Sequence, residues 1–304
     1  MTGSKIPLIY ILGNGYSGST LLDLLLGSHP NIWTLGEVQH LPEEISKNKL
    51  CGCNLPIQSC AFWQSVVSNV PFGDPDYPMD YFDKFPVGNR YLRWDTFRKI
   101  FGTVDGNKKK AVDCYNRVNA DWFNAIWHEA VKKRGGAIDW LVDSSKNSDR
   151  LFWLQQSNTF DLRVIHLIKA PSAFVYSMMK RNLPYTWSKV IRMTGIWVLE
   201  NWIGKRICTS MMPREHTFIL RYEELASRPE ATMTRIGNWL GLDFPPEVVH
   251  GFRKYENHAV SGNQMRWQEA EISLDEKWRT MLPAAYQRAI NIFTMPFRRM
   301  FGYE

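Results

Sequence analysis

The chain has 304 residues, 44% apolar and 22% charged, so it can bury a core large enough to fold without disulfide staples or a structural scaffold. Its formal charge of +7 is spread along the sequence rather than gathered into long Lys/Arg runs, which argues against a nucleic-acid-binding tail and for a small anionic ligand. No stretch approaches the roughly 20 apolar residues of a spanning helix, and the apolar segment after Lys5 is too short for a signal peptide, so the expected location is cytoplasmic.

The first unit reads as a buried strand over Ile6–Leu12, a glycine-containing turn, and a Leu-rich helix over Ser19–Gly27 that stops before His29-Pro30. The turn is Gly13-Asn14-Gly15-Tyr16-Ser17-Gly18-Ser19-Thr20. Glycines there let main-chain N–H groups converge, and a helix start adds its positive dipole end, so the pattern suits a phosphate. Against the G-x4-G-K-[ST] template of nucleoside triphosphate enzymes, Gly13, Gly18 and Thr20 match, but Ser19 stands where the lysine belongs. A P-loop kinase is therefore the lesser alternative.

Next comes Cys51-Gly52-Cys53 with Cys60, three of the chain's five cysteines. The C-x-C-x6-C spacing could supply three thiolates to zinc, but no fourth ligand is evident nearby, and buried thiols account for it equally; the expectation is no metal. Residues 71–110, rich in Pro, Gly, Asp and aromatics and ending in Lys108-Lys109-Lys110, read as an inserted lid. Tyr77, Tyr81, Phe82, Phe85 and Tyr91 in it suit either a ring-bearing acceptor or a small local core.

Further strands are expected at Trp140–Asp143, Leu162–Ile168 and Thr217–Leu220, each followed by a helical pattern. Pro171 opens one such helix, running to about Arg181, and Pro229–Leu240 forms another that stops at Gly241. The fold class is thus α/β: one P-loop-like domain over residues 1–304, with a central parallel sheet flanked by helices, an inserted lid and a mainly helical C-terminal third. Ala289–Phe301 combines Ile290, Ile292, Phe293, Met295 and Phe297 with Arg298 and Arg299; packing on the sheet is expected, with membrane contact as the alternative.

Gly15–Leu22 followed by Ser28-His29-Pro30 resembles the 5′-phosphosulfate loop of the sulfotransferase family, and is closest in pattern to bacterial sulfotransferases and the carbohydrate and tyrosylprotein branches. A second stretch, Arg163–Ser177, is similar to the family's 3′-phosphate motif. The resemblance implies transfer of a sulfuryl group from 3′-phosphoadenosine 5′-phosphosulfate, leaving 3′-phosphoadenosine 5′-phosphate, to a hydroxyl, less readily an amine, of a small-molecule or carbohydrate acceptor. It implies in-line, metal-independent displacement. A module that keeps the nucleotide pocket but has lost the chemistry is the other alternative.

By the same resemblance Gly15, Tyr16, Ser17, Gly18, Ser19 and Thr20 hold the 5′-phosphosulfate, Lys169 and Ser177 the 3′-phosphate, Tyr222 the adenine, and Arg266 returns to the cofactor. Two positions depart from the family: Tyr16 stands where most members carry Lys or Arg, and Lys169-Ala170 replaces Arg-Asp. Lys146 is expected to supply the missing cation, or else to pair with Asp149 as a helix-start lysine. Glu37, in Leu35-Gly36-Glu37, is the expected base, with His40 as the alternative.

Overall fold

The computed structural model describes residues 5–83, 106–156, 158–180, 184–268 and 271–303. Among them five strands form one parallel sheet: β1 (Ile6–Gly13), β2 (Ile32–Thr34), β3 (Trp140–Lys146), β4 (Phe160–Ile168) and β5 (Thr217–Arg221), in the order β2-β3-β1-β4-β5. β1 lies in the middle, with Ile9 opposite Val142 on β3 and Arg163 on β4. All five strands point the same way, so their C-terminal ends make one edge, where ligands of open α/β sheets bind.

Both faces of the sheet are covered, and the strand alternation shows how. Leu8, Tyr10 and Leu12 of β1 face one layer: α2 (Gly106–Arg134), α3 (Ser148–Gln155) and part of α5 (Trp187–Ser210). Ile9 and Ile11 face the other, built from α1 (Ser19–Gly27) and α6 (Pro229–Leu240). Side chains of Val112, Tyr115, Val118, Trp122, Ile126 and Ala130, at helical spacing, give α2 its buried stripe.

Several expectations are met and others are corrected. β1, α1 and α6 fall at the expected residues, and α4 (Pro171–Met179) begins at its proline. The short strand β2 was not anticipated. Lys108–Lys110 belong not to a lid loop but to the start of the 29-residue α2. Phe82 is fully buried against Trp122, which places it in a local core, whereas Phe85 and Tyr91 lie outside the described residues. The C-terminal helix α7 (Ala284–Met300) packs on α4 and α5 through buried Ile290 and Thr294, and the following Phe301 reaches the sheet, meeting His166 of β4 edge-on at 5.7 Å. Among the described residues no helix is long and apolar enough to cross a membrane.

Candidate functional site

The turn after β1 is shaped by one glycine. Gly18 has φ +93°, and a Cβ there would come 2.3 Å from the Tyr222 ring, so neither the backbone angle nor the space admits a side chain. Asn14 anchors the other end of the turn: it donates to Glu200 at 2.5 Å and accepts from Asn201 at 2.7 Å, both from α5. Ser17 Oγ is buried without a hydrogen-bond partner, whereas Tyr16, with φ +62°, points outward and is 44% exposed. A buried hydroxyl without a partner, in a turn that leads into the start of α1, is a donor that an anion at the helix start could use.

Two loops converge on this turn from β4 and β5. The Lys169 ammonium donates to Ser177 Oγ at 3.1 Å, nearly two turns into α4, and lies 4.5 Å from the centre of the Tyr222 ring. Trp197 of α5 fixes the lysine's main chain by donating to its carbonyl at 2.8 Å. Burial pulls the Lys169 pKa below its ordinary value, while Asp275 and Glu223 act through space in the opposite direction. The geometry therefore brings together Lys169, Ser177, Tyr222 and the Gly13–Thr20 turn at one sheet edge. A cavity of about 550 Å³ adjoins the Lys169 end, bordered by Ala170, Ser172, Glu223, Arg228, Arg298 and Tyr303, and the buried Ser172 hydroxyl has no partner.

On the other flank, Leu35–Glu37 leaves β2 and runs between β3 and the 259–260 segment. Leu35 N–H donates to Val142 O, Ser144 N–H to Gly36 O, and Glu37 N–H to Val260 O. Gly36, at φ +69°, is required because a Cβ would meet Val260 O at 2.4 Å. This path delivers Glu37 to the end of β3, where Lys146 Nζ lies 2.6 Å from Glu37 Oε1 and His40 Nε2 lies 3.8 Å from Oε2. The three residues singled out for chemistry thus form one cluster. Beneath it a buried ion pair, Arg150 Nε to Asp143 Oδ2 at 2.8 Å, holds the strand end in place, with Arg150 also donating to the Phe82 carbonyl.

The Ser261–Arg266 loop returns to the turn through main chain: Asn263 N–H donates to Thr20 Oγ1 at 3.4 Å. Arg266 reaches the small pocket that also contains Thr20, Asp23 and Glu37, with its guanidinium committed to the carbonyls of Leu50, Ala259 and Ser261. It braces the loop. Asp23, absent from the sequence expectations, is buried on α1 beside this cluster, and burial pushes its carboxyl up to about 7, against Ser144 and Lys146, which lower it. An Asp inside the Leu-rich run of α1 was the available signal, since an acid facing a core needs a reason.

Residues 78–246, more than half the chain, match the sequence model of the Sulfotransferase family. In fold the chain is similar to the sulfotransferase domain of the Synechococcus PCC 7002 olefin synthase, with a TM-score of 0.61 at 21% identity over 100% of this chain and 98% of that one. It is also similar to the sulfotransferase domain from the curacin biosynthetic pathway, with a TM-score of 0.54 at 17% identity over 99% of each chain. A search of curated proteins finds no match. The turn after β1 and the strand-to-helix unit after β4 were the grounds for expecting this family, and the match includes the second of them: the chain belongs to the sulfotransferase family.

Proposed function

We propose that this transferase moves a sulfuryl group from 3′-phosphoadenosine 5′-phosphosulfate to a hydroxyl of a small-molecule or carbohydrate acceptor. The observation that carries the reading is the juxtaposition of Lys169, Ser177 and Tyr222 with the Gly13–Thr20 turn. A buried ammonium whose hydrogen-bond partner is a hydroxyl suits a dianionic 3′-phosphate. The turn's N–H groups with Ser17, Ser19 and Thr20 suit the 5′-phosphosulfate, whose sulfuryl group is the one transferred. The cavity beside Ala170 and Ser172 leaves room for the nucleoside end.

In this reading Glu37 takes the proton of the attacking hydroxyl, the new S–O bond forms in line with the breaking one, and the turn receives the charge left on the phosphate oxygen. Lys146, held against Glu37, supplies the positive charge that Tyr16 cannot. His40, more exposed and 3.8 Å from the Glu37 carboxylate, is placed to orient Glu37 rather than to replace it.

The test is calorimetric titration with 3′-phosphoadenosine 5′-phosphate, wild type against Lys169→Ala, with ATP as control. Binding that weakens at least about tenfold in the variant, the loss of one charge-assisted contact, supports the assignment. Absence of binding by the wild type sinks it.

A further inference from the structure

Cys51, Cys53 and Cys60 do have a fourth partner, supplied from the far end of the chain. His258 Nδ1 lies 3.2 Å from Cys60 Sγ and 3.7 Å from Cys51 Sγ, and Cys53 Sγ is 3.7 Å from Cys60 Sγ. All four ligand atoms fall within 4.8 Å of one another, and Cys51, Cys60 and His258 are buried. We propose that these four residues form a structural zinc site, tetrahedral and closed, that staples the 51–60 loop to the 256–260 segment.

Three of the six separations between the ligand atoms are close to the edges of a zinc tetrahedron. Zinc bonds of about 2.3 Å to sulfur and about 2.0 Å to nitrogen require S···S edges of about 3.8 Å and S···N edges of about 3.5 Å. The two S···N separations, 3.2 and 3.7 Å, lie either side of the second value, the 3.7 Å between Cys53 and Cys60 is close to the first, and the cysteines are unbridged. Donor type points to the same metal, because three thiolates and one imidazole, buried, make a borderline-soft set with no open position.

The surroundings are those of a ligated cluster. The imidazole packs in a cluster of three rings, 4.9 Å from Phe62 and 5.9 Å from Trp33, which limits its rotation while its Nδ1 faces the sulfurs. Its other nitrogen, buried and without a hydrogen bond, lies 3.3 Å from the Glu256 carboxylate, which Lys133 pairs at 2.9 Å; a carboxylate at this place is what orients the ring in metal sites. Binding of zinc releases the protons of the thiols to solvent, and Lys133 with Arg266 offsets the excess negative charge.

The staple also has a place in the architecture. The 256–266 arm supplies Val260 O to Glu37 N–H and Asn263 N–H to Thr20, so the zinc would hold the arm that frames the candidate site without touching the chemistry.

The full-length chain, expressed in zinc-supplemented medium and desalted, is expected to carry about one zinc per chain by mass spectrometry of the elements. Exchange with cobalt(II) should give the intense visible bands of a tetrahedral site and a thiolate-to-cobalt charge-transfer band. Cys53→Ser, at the least buried ligand, should lower zinc affinity at least about tenfold and weaken that band. Should the variant not fold, the wild-type metal content and cobalt spectrum decide the matter alone. Protein with fully reduced thiols that holds no stoichiometric zinc and gives no tetrahedral cobalt spectrum would overturn the proposal, as would a Cys53–Cys60 disulfide found by peptide mass.

Discussion

The ammonium of Lys146 lies 2.6 Å from the carboxylate of Glu37, and the lysine reaches it from a left-handed backbone position at φ +61°. That conformation costs a non-glycine residue about 1–3 kcal/mol and persists only where neighbours enforce it. Here Tyr10 does so, its hydroxyl donating to Asn147 O at 2.8 Å and accepting from Asn147 N–H at 3.1 Å. Strain held at a ligand edge points to a requirement for the side chain. Glu37→Gln is therefore expected to lower turnover about 10²–10⁴-fold, the range for loss of a general base, while leaving the affinity for 3′-phosphoadenosine 5′-phosphate within about threefold. Equal loss of turnover and nucleotide affinity would instead make Glu37 a binding residue.

The backbone cost at the same lysine can be measured separately. Lys146→Gly and Lys146→Ala both remove the ammonium, but only glycine relieves the positive φ. The glycine variant should be the more stable by about 1 kcal/mol in urea unfolding, with both equally impaired in transfer. Equal stabilities would show that the turn relaxes when the lysine is lost.

Gly18 offers a complementary test in the turn after β1. Gly18→Ala meets both a φ of +93° and the Tyr222 ring, so it should cost more than about 2 kcal/mol and abolish nucleotide binding. Adding Tyr222→Ala removes the clash but not the backbone strain, and should recover only part of the stability. Full recovery would mean that the ring contact alone demanded the glycine.

Much of this frame could be read from sequence because it rests on local patterns. The apolar run from Ile6 and the Leu-rich stretch from Ser19 fix β1 and α1, and Pro171 and Pro229 fix two helix starts. β2 escaped because three residues cannot show a period; its pairing with β3, Ile32 opposite Trp140, is what makes it a strand. Lys108–Lys110 looked like a loop because the buried stripe of α2 begins only at Val112. Contacts between distant segments carried no local trace. Spacing offered Asp149 as a partner for Lys146, but the route of Leu35–Glu37 along β3 brings Glu37 there, and no pattern near Cys60 could have named His258.

Tyr16 is exposed and already sits at positive φ, so a lysine there would meet no clash and little new strain. Tyr16→Lys would place in this turn the cation that the resemblance to the family leads one to expect. One added charge at an exposed turn is worth about 1 kcal/mol, so affinity for 3′-phosphoadenosine 5′-phosphate should rise about fivefold at low salt, with the gain shrinking as salt is added. An unchanged affinity would indicate that Lys146 or another group already fills the role.

Asp23 should make stability depend on pH. Its folded-state pKa of about 7 lies above the ordinary value of 3.8, so the fold favours the protonated acid. The stabilisation this gives is complete below about pH 4 and is lost as pH rises through about 7. His166 works in the other direction, since burial lowers its pKa from 6.5 to about 4 and the fold favours the neutral ring; its contribution is present above about pH 6.5 and fades as pH falls. The two slopes oppose each other through the mildly acidic range, so wild-type stability should vary little there. Asp23→Asn keeps an uncharged side chain of the same shape and removes only the acid's slope. Relative to wild type the variant should gain stability steadily from pH 4 to pH 7, by no more than about 1.4 kcal/mol per pH unit, in urea unfolding. A difference between the two proteins that stays constant over that range would mean that Asp23 is ionised in the fold, with Lys146 as its counter-ion.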